Sequence, residues 1–359
     1  MIRAKKATTK ETLIPKRVEN RGFTPTLDED GFFSFTLPEK SDFKILQLTD
    51  VHIGNSFITR MQDRLAENAV IRLVEHTRPD LIVFTGDNVY PMLPVTLTRD
   101  NMKETLRFCK LVEAFEIPWA CVFGNHDTEV MCRYDKEDLS KVFEAQPHCL
   151  YKRGDKNIFG VGNYTIKVKN ADGSLNNILF MLDSNMYASG NFFTGFDVIH
   201  DDQIAWYAEQ IEMNKDSEGN PPKSLAFFHM PLAEYKEAWN KLRFGSPEVE
   251  YKMGAIGEND NYVGISRKKG NFFSKAVELG STKGIFVGHD HLNTISMLYK
   301  GIQLSYGMSI DYLAYSGIRR NYSQRGGTVI TIKPDSSFTV EHIPLSLLTN
   351  GTLGNDVVR

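Results

Sequence analysis

The stretch Leu48 to Gly54 reads LTDVHIG, with an aspartate and a histidine two residues apart. It follows the alternating run Phe43, Ile45, Leu46, Leu48. In an extended chain, residues i and i+2 face one side, so Asp50 and His52 can share one partner, and a metal ion is the obvious candidate. A lone Asp-x-His is more often a turn aspartate capping the next helix. Four further clusters tip the balance. GDN supplies Gly86, Asp87 and Asn88. GNHD runs from Gly124 to Asp127, FHMP holds His229, and GHDH holds His289 and His291. Each cluster stands just after an apolar, strand-like run, and five of the nine histidines fall in them. Buried polar groups are costly unless paired or metal-bound. Core packing therefore explains the set poorly.

Positioning these clusters requires strands that end together. FFSFTL and FKILQLTD read as strands. Met61, Leu65, Ala69 and Leu73 recur at i+4 and predict one apolar helix face, closed by Pro79. LIVFTGD then reads as a strand buried on both faces. Met102, Leu106, Cys109, Val112 and Phe115 predict a second helix, and IPWACVFGNHD a further buried strand. Strand–helix alternation implies parallel pairing with helical crossovers, and such sheets bind ligands beyond the carboxyl ends of their strands. The second half is richer in strands: NILFMLDSN, KSLAFFHMP, GIFVGHDH, IQLSYG, GTVITI and SFTVEHI, with a helix over His200 to Asn214. The order predicts an α/β (α+β) fold, a four-layer αββα sandwich with two mixed sheets face to face and helices outside. Residues 235 to 275 read as a long surface excursion. The expected organisation is a polar N-terminal arm over 1–30, a catalytic domain over 31–345 and a C-terminal tail over 346–359.

The bulk properties exclude more than they identify. A net charge of −3 over 359 residues argues against a general nucleic-acid surface. No apolar run approaches the roughly 18 residues of a membrane helix. The N-terminus is basic and lacks the apolar stretch of a secretory signal. Cys109, Cys121, Cys132 and Cys149 form no Cys-x-x-Cys pair and read as free thiols of a reducing compartment. A cytoplasmic location is the expectation.

The five blocks in this order resemble the calcineurin-like metallophosphoesterase superfamily, whose signature is Asp-x-His, Gly-Asp, Gly-Asn-His-Asp/Glu, His and Gly-His-x-His. GNYTIKV, LDSN, QIAWY, HMPLAEY, GHDHLN and LSYG resemble the purple-acid-phosphatase-like subgroup that lacks the purple chromophore, from about residue 40 to residue 342. The resemblance implies that Asp50, His52 and His291 hold one metal ion. It implies that Asn125, His229 and His289 hold a second, and that Asp87 bridges the two. Asp and His mixtures suit Mn, Fe or Zn. His289 and His291, at i and i+2 of an extended segment, can both face the metals. Two carboxylates against two divalent ions leave about two net positive charges, which attract a phosphate dianion. Metals about 3.5–4 Å apart can clamp attacking and leaving oxygens, with a bridging hydroxide as nucleophile.

His126 is free to face the substrate, stabilising or protonating the leaving oxygen, with Asp127 orienting its imidazole or capping a helix. Asp290 points opposite its histidine neighbours and reads as structural, whereas Asn88 and Asn293 divide between site rim and turn. His76, His148, His200 and His342 lie outside the blocks. Purple enzymes place a tyrosine ligand within GDxxY, and Tyr90 stands three residues after Asp87. With His52 present, packing is its expected role. The expected substrate is a phosphate ester, a monoester and possibly a diester. The rivals are a nuclease on the same site, for which Arg267 to Gly270 and Asn240 to Gly245 are the modest basic candidates, and a catalytically silent regulatory member. The sequence leaves the oligomeric state open.

Overall fold

A computed structural model describes residues 11–349 apart from 191, 316–317 and 319–323. Two mixed sheets carry the chain. The smaller has five strands in the order β14-β13-β3-β4-β5. Its parallel centre is β3 (Phe43–Leu48), β4 (Leu81–Thr85) and β5 (Trp119–Val122), linked by α1 (Arg60–Thr77) and α2 (Asn101–Glu113). β13 (Gly326–Ile332) and β14 (Phe338–Pro344) close one side antiparallel. The larger sheet orders nine strands β1-β2-β6-β7-β8-β10-β12-β11-β9. Its parallel centre is β7 (Leu175–Met181), β8 (Ser224–Phe227), β10 (Thr282–Val287) and β12 (Ile302–Tyr306). The remaining strands are β1 (Thr26–Leu27), β2 (Phe33–Thr36), β6 (Tyr164–Lys169), β9 (Val249–Met253) and β11 (Ser296–Tyr299).

Strand alternation explains the layers. Leu179 and Met181 of β7, with Leu225 and Phe227 of β8, join one core with β3, β4 and β5. The intervening Ile178, Phe180, Ala226 and Phe228 face the opposite way. They pack with α4 (Asp201–Met213), α5 (Ala233–Arg243) and α6 (Phe272–Leu279). On the far side of the small sheet, α1 adds Leu65, Ala69 and Leu73 to the first core, and α2 adds Phe108 and Val112. The two mixed sheets, with helices outside them, are those expected from the sequence.

One expectation is refined and one corrected. Residues 11–30 of the expected polar arm are mostly exposed but tied to the domain at several points. Val18 is buried and donates its N–H to the Phe115 carbonyl at 3.0 Å. Asn68 of α1 clasps the Glu11–Leu13 backbone, and Arg21 pairs with the buried Asp80. Leu13, Val18 and Phe23, spaced among the charged residues, meet the core. Residues 1–10, and 350–359 of the expected tail, lie outside the described residues. Residues 235–275 are not a bare excursion. They include most of α5 together with β9 and the start of α6. The apolar stripe Tyr235, Ala238, Trp239 and Leu242 was hidden among lysines and glutamates, and β9 is a largely exposed edge strand.

Candidate metal centre

The five polar blocks converge where the parallel strands of both sheets end. Asp50 and His52 follow β3, Asp87 follows β4, and Asn125 and His126 follow β5. His229 follows β8, and His289 and His291 follow β10. The approach is close enough to require glycine. A Cβ on Gly86 would stand 2.7 Å from both the Gly124 nitrogen and His229 Nδ1, and Gly86 has φ +90°. Asp50, His52, Asp87 and His289 themselves take left-handed backbone, with φ of 54°, 53°, 52° and 75°. Such conformations are sparsely populated by non-glycine residues and gather at functional sites.

Three interlocking groups result, each with donor atoms within 4.8 Å of one another: Asp50, His52 and His291; His52, Asp87 and His126; and Asp87, His229 and His289. Asn125 joins the third, its Oδ1 lying 3.2 Å from His229 Nε2. Asp87 Oδ2 is 3.3 Å from His52 Nε2 and 3.2 Å from His229 Nε2. His291 Nε2 is 3.5 Å from Asp50 Oδ1. Thus the seven residues expected as ligands are brought together.

The donor set fits divalent transition metals. Asp50 Oδ2 is buried without a hydrogen-bond partner, which is costly unless a cation meets it. His289 Nδ1 and His229 Nε2 face each other at 3.3 Å. His229 Nδ1 lies 2.8 Å from the Thr85 carbonyl, the partner expected of a ligating imidazole's other nitrogen. The protein's own field is strongly anionic here. Burial opposes charge on His52, but Asp311 and Asp87 outweigh it and push that imidazole up to about 9. Burial likewise opposes charge on His229, and Asp87 overcomes it to give about 9. His289, half-buried, is pushed down to about 3 by desolvation and by the neighbouring His229. The carboxylates thus favour positive charge at His52, His229 and His291 while His289 resists it, a field suited to a bound cation.

One side chain does not do what the sequence suggested. Asp127 does not orient His126. Its buried carboxylate accepts from the backbone N–H groups of Asp87, Asn88, Val89 and Gly124, at 2.7–3.1 Å. It ties the turn after β4 to the turn after β5. Burial and the neighbouring Asp87 push its carboxyl up to about 6, against the pull of those donors. The partner of His126 is Glu129, whose Oε1 lies 2.7 Å from Nδ1. Asp290 is structural, accepting from the Gly264 N–H and the Tyr306 hydroxyl. Asn293 accepts from the Gly257 and Glu258 N–H groups and donates to the Tyr262 carbonyl, so it holds a rim loop. Asn88 sits in the tied turn.

Sequence reasoning missed Asp311. It is fully buried, 3.2 Å from His52 Nδ1 and 3.1 Å from His291 Nδ1. It also accepts the N–H groups of Leu313, Ala314 and Tyr315. Burial would raise its carboxyl, but the two histidines hold it well below the usual carboxylate range. The available signal was a lone carboxylate within SIDYL, flanked by apolar residues. Tyr90 packs by its edge against His52 and His126, with ring centroids 5.2 and 4.8 Å apart. Burial, then the charges of Asp311, Glu129 and Asp87, push its phenol up to about 12.

Comparison with known proteins agrees with this geometry. The calcineurin-like phosphoesterase family model matches residues 43–293. "Probable inactive purple acid phosphatase 28" of Arabidopsis thaliana is 31% identical over 321 residues, spanning 80% of this chain and 74% of that protein. "Probable inactive purple acid phosphatase 29" of the same plant is 29% identical over 316 residues, spanning 80% and 76%. "Phosphatase DCR2" of Saccharomyces cerevisiae is 30% identical over 276 residues, 71% of this chain but 45% of the yeast protein. A solved dimetal phosphatase from Danio rerio superposes with TM-score 0.53 at 12% identity, covering 85% of this chain and 99% of that one, and so shares the fold. With the family match spanning most of the chain and the ordered ligand blocks meeting at one site, this protein belongs to the calcineurin-like phosphoesterase family.

Proposed function

We propose that the protein hydrolyses phosphomonoesters at a dinuclear metal site. The observation that carries the reading is the interlocking of the three donor groups through His52 and Asp87, which suits two ions sharing Asp87. Asp50, His52 and His291 would hold one ion, Asn125, His229 and His289 the other. Mn, Fe and Zn suit these donors. When bound, two such ions would activate a water and neutralise charge on the phosphoryl oxygens. The chain's own contribution is orientation and proton supply. Asp311 and the Thr85 carbonyl fix imidazole orientation. His126 faces the cavity beside the centre, and Glu129 fixes its ring, so its Nε2 is the proton donor to the departing alkoxide. Water gives its oxygen to phosphorus, the ester P–O bond breaks, and the alcohol leaves with a proton.

The decisive experiment is elemental analysis with chelation. The purified protein should carry about two metal ions and lose phosphatase activity when they are removed. Full activity with one ion or none defeats the reading. The printed names of the plant relatives favour a second reading, a catalytically silent member. Metal-loaded protein that turns over no ester in a broad phosphomonoester panel would establish it. A nuclease is less well supported, because two of the five basic residues in the candidate stretches are already paired with carboxylates. Lys269 pairs with Glu234 and Glu237, and Lys241 with Glu248. Among the described residues no helix is long and apolar enough to cross a membrane. The four cysteines are unpaired, which supports a reducing, cytoplasmic setting.

Colour gives a separate check. Tyr90 stands edge-on to two imidazoles, and His52 fills the position a tyrosinate would otherwise serve. Protein loaded with iron should therefore lack an intense purple band. A strong visible absorption that vanishes in Tyr90→Phe, together with activity, would overturn this assignment.

A further inference from the structure

Beside the metal centre lies a cavity of about 270 Å³, bounded on one side by His126, His289 and His291. Its other walls are Tyr90, Tyr262 and Tyr315, with Glu258 and Asp290. No lysine or arginine lines it among the described residues. The walls are held in place. Glu258 accepts from the Leu292 N–H at 3.1 Å and from the Tyr315 hydroxyl at 2.8 Å. Asn293 anchors the loop that carries Glu258 and Tyr262. Asp311 caps the backbone that presents Tyr315. Tyr262 is 54% exposed and stands at the mouth.

Three aromatic side chains with a carboxylate at the same pocket form a surface that attracts an organic cation. Ring quadrupoles draw a cation to their faces, and a carboxylate adds direct charge attraction. The same wall repels a leaving group that carries further phosphates. Beside a phosphoryl group at the metals, the cavity has room for a short alcohol in contact with these walls. Resting on the phosphoesterase reading above, we propose that the substrate is a phosphate monoester of a small cationic amino alcohol, of the phosphocholine or phosphoethanolamine kind. The dianion meets the metal side and the ammonium meets Tyr262, Tyr315 and Glu258. Hydrolysis then releases inorganic phosphate and the protonated amino alcohol, with water as the only co-reactant.

The test compares phosphocholine with 3,3-dimethylbutyl phosphate, its neutral isostere, on metal-loaded protein. The two share shape and phosphate and differ in one charge. Phosphocholine should have the higher kcat/KM by roughly 10-fold, carried in KM. In Glu258→Gln and Tyr262→Ala the ratio should fall to within about threefold of unity, an expectation of the same origin. Equal kcat/KM for the two esters in the parent protein overturns the proposal. So does a preference for an inositol bisphosphate over both. If neither ester turns over, the phosphoesterase reading fails first. Calorimetric binding of the same pair to the metal-loaded protein then decides the pocket alone. Tighter binding of phosphocholine upholds it, and equal affinities overturn it.

Discussion

His126→Ala should lower turnover of an alkyl phosphate roughly 10²–10⁴-fold while metal content holds, the usual scale for losing a general acid. The imidazole reaches the cavity with 21% of its side chain exposed, unlike the fully enclosed His52 and His229. Its Nε2 is 4.0 Å from Asp87 Oδ2, beyond the 3.2–3.3 Å at which His52 and His229 approach the same oxygen. The loss should shrink for nitrophenyl phosphate, whose leaving group needs little help. Glu129→Gln, which keeps a hydrogen-bonding partner but removes its charge, should lose about tenfold or less. The rival assignment is explicit in the geometry, since His126 also forms a donor group with His52 and Asp87. If metal analysis finds an ion missing in His126→Ala, it is a ligand and the proton-donor role falls.

Asp127→Ala should cost stability rather than chemistry alone. Four buried backbone N–H groups would lose their acceptor at once. Each unsatisfied group costs about 1–3 kcal/mol, less whatever water or relaxation recovers, so a net loss of about 3–5 kcal/mol is expected. That corresponds to a fall of roughly 4–7 °C in the thermal midpoint for a chain of 359 residues. Metal binding should weaken with it, because the tied turn carries Asp87. Asp127→Asn keeps one acceptor oxygen and should fall between. A midpoint within about 2 °C of the parent for Asp127→Ala would show that the turns stand without this tie.

The centre was legible because its ligands share a sequence context. An apolar strand that stops at a carboxylate or imidazole is conspicuous, and all seven expected ligands lie at or just beyond such ends. What supports them was not. Glu129 and Asp311 sit in loops whose course is set by tertiary contact, and nothing in their spacing points to His126, His52 or His291. Asp127 illustrates a different failure. Its position beside His126 suggested a side-chain partner, but backbone donors from two turns claimed it first, and charged hydrogen bonds to N–H groups are strong. The parallel core strands were readable from continuous apolar runs. By contrast α5 and β9, half exposed and rich in charge, look like loop until the neighbouring sheet supplies the buried face.

The left-handed backbone at Asp50, His52, Asp87 and His289 has a consequence for how the site can change over generations. Glycine would relieve each position but delete the donor. Most other side chains would keep the strain, roughly 1–2 kcal/mol apiece, and lose the donor as well. Asparagine tolerates that region and retains an oxygen. The path of least resistance from each aspartate is therefore to asparagine, which weakens one ligand without unseating the loop. Drift away from metal chemistry in this lineage would begin as Asp-to-Asn exchange on an intact scaffold, leaving a shape still able to recognise a phosphate ester it no longer cleaves.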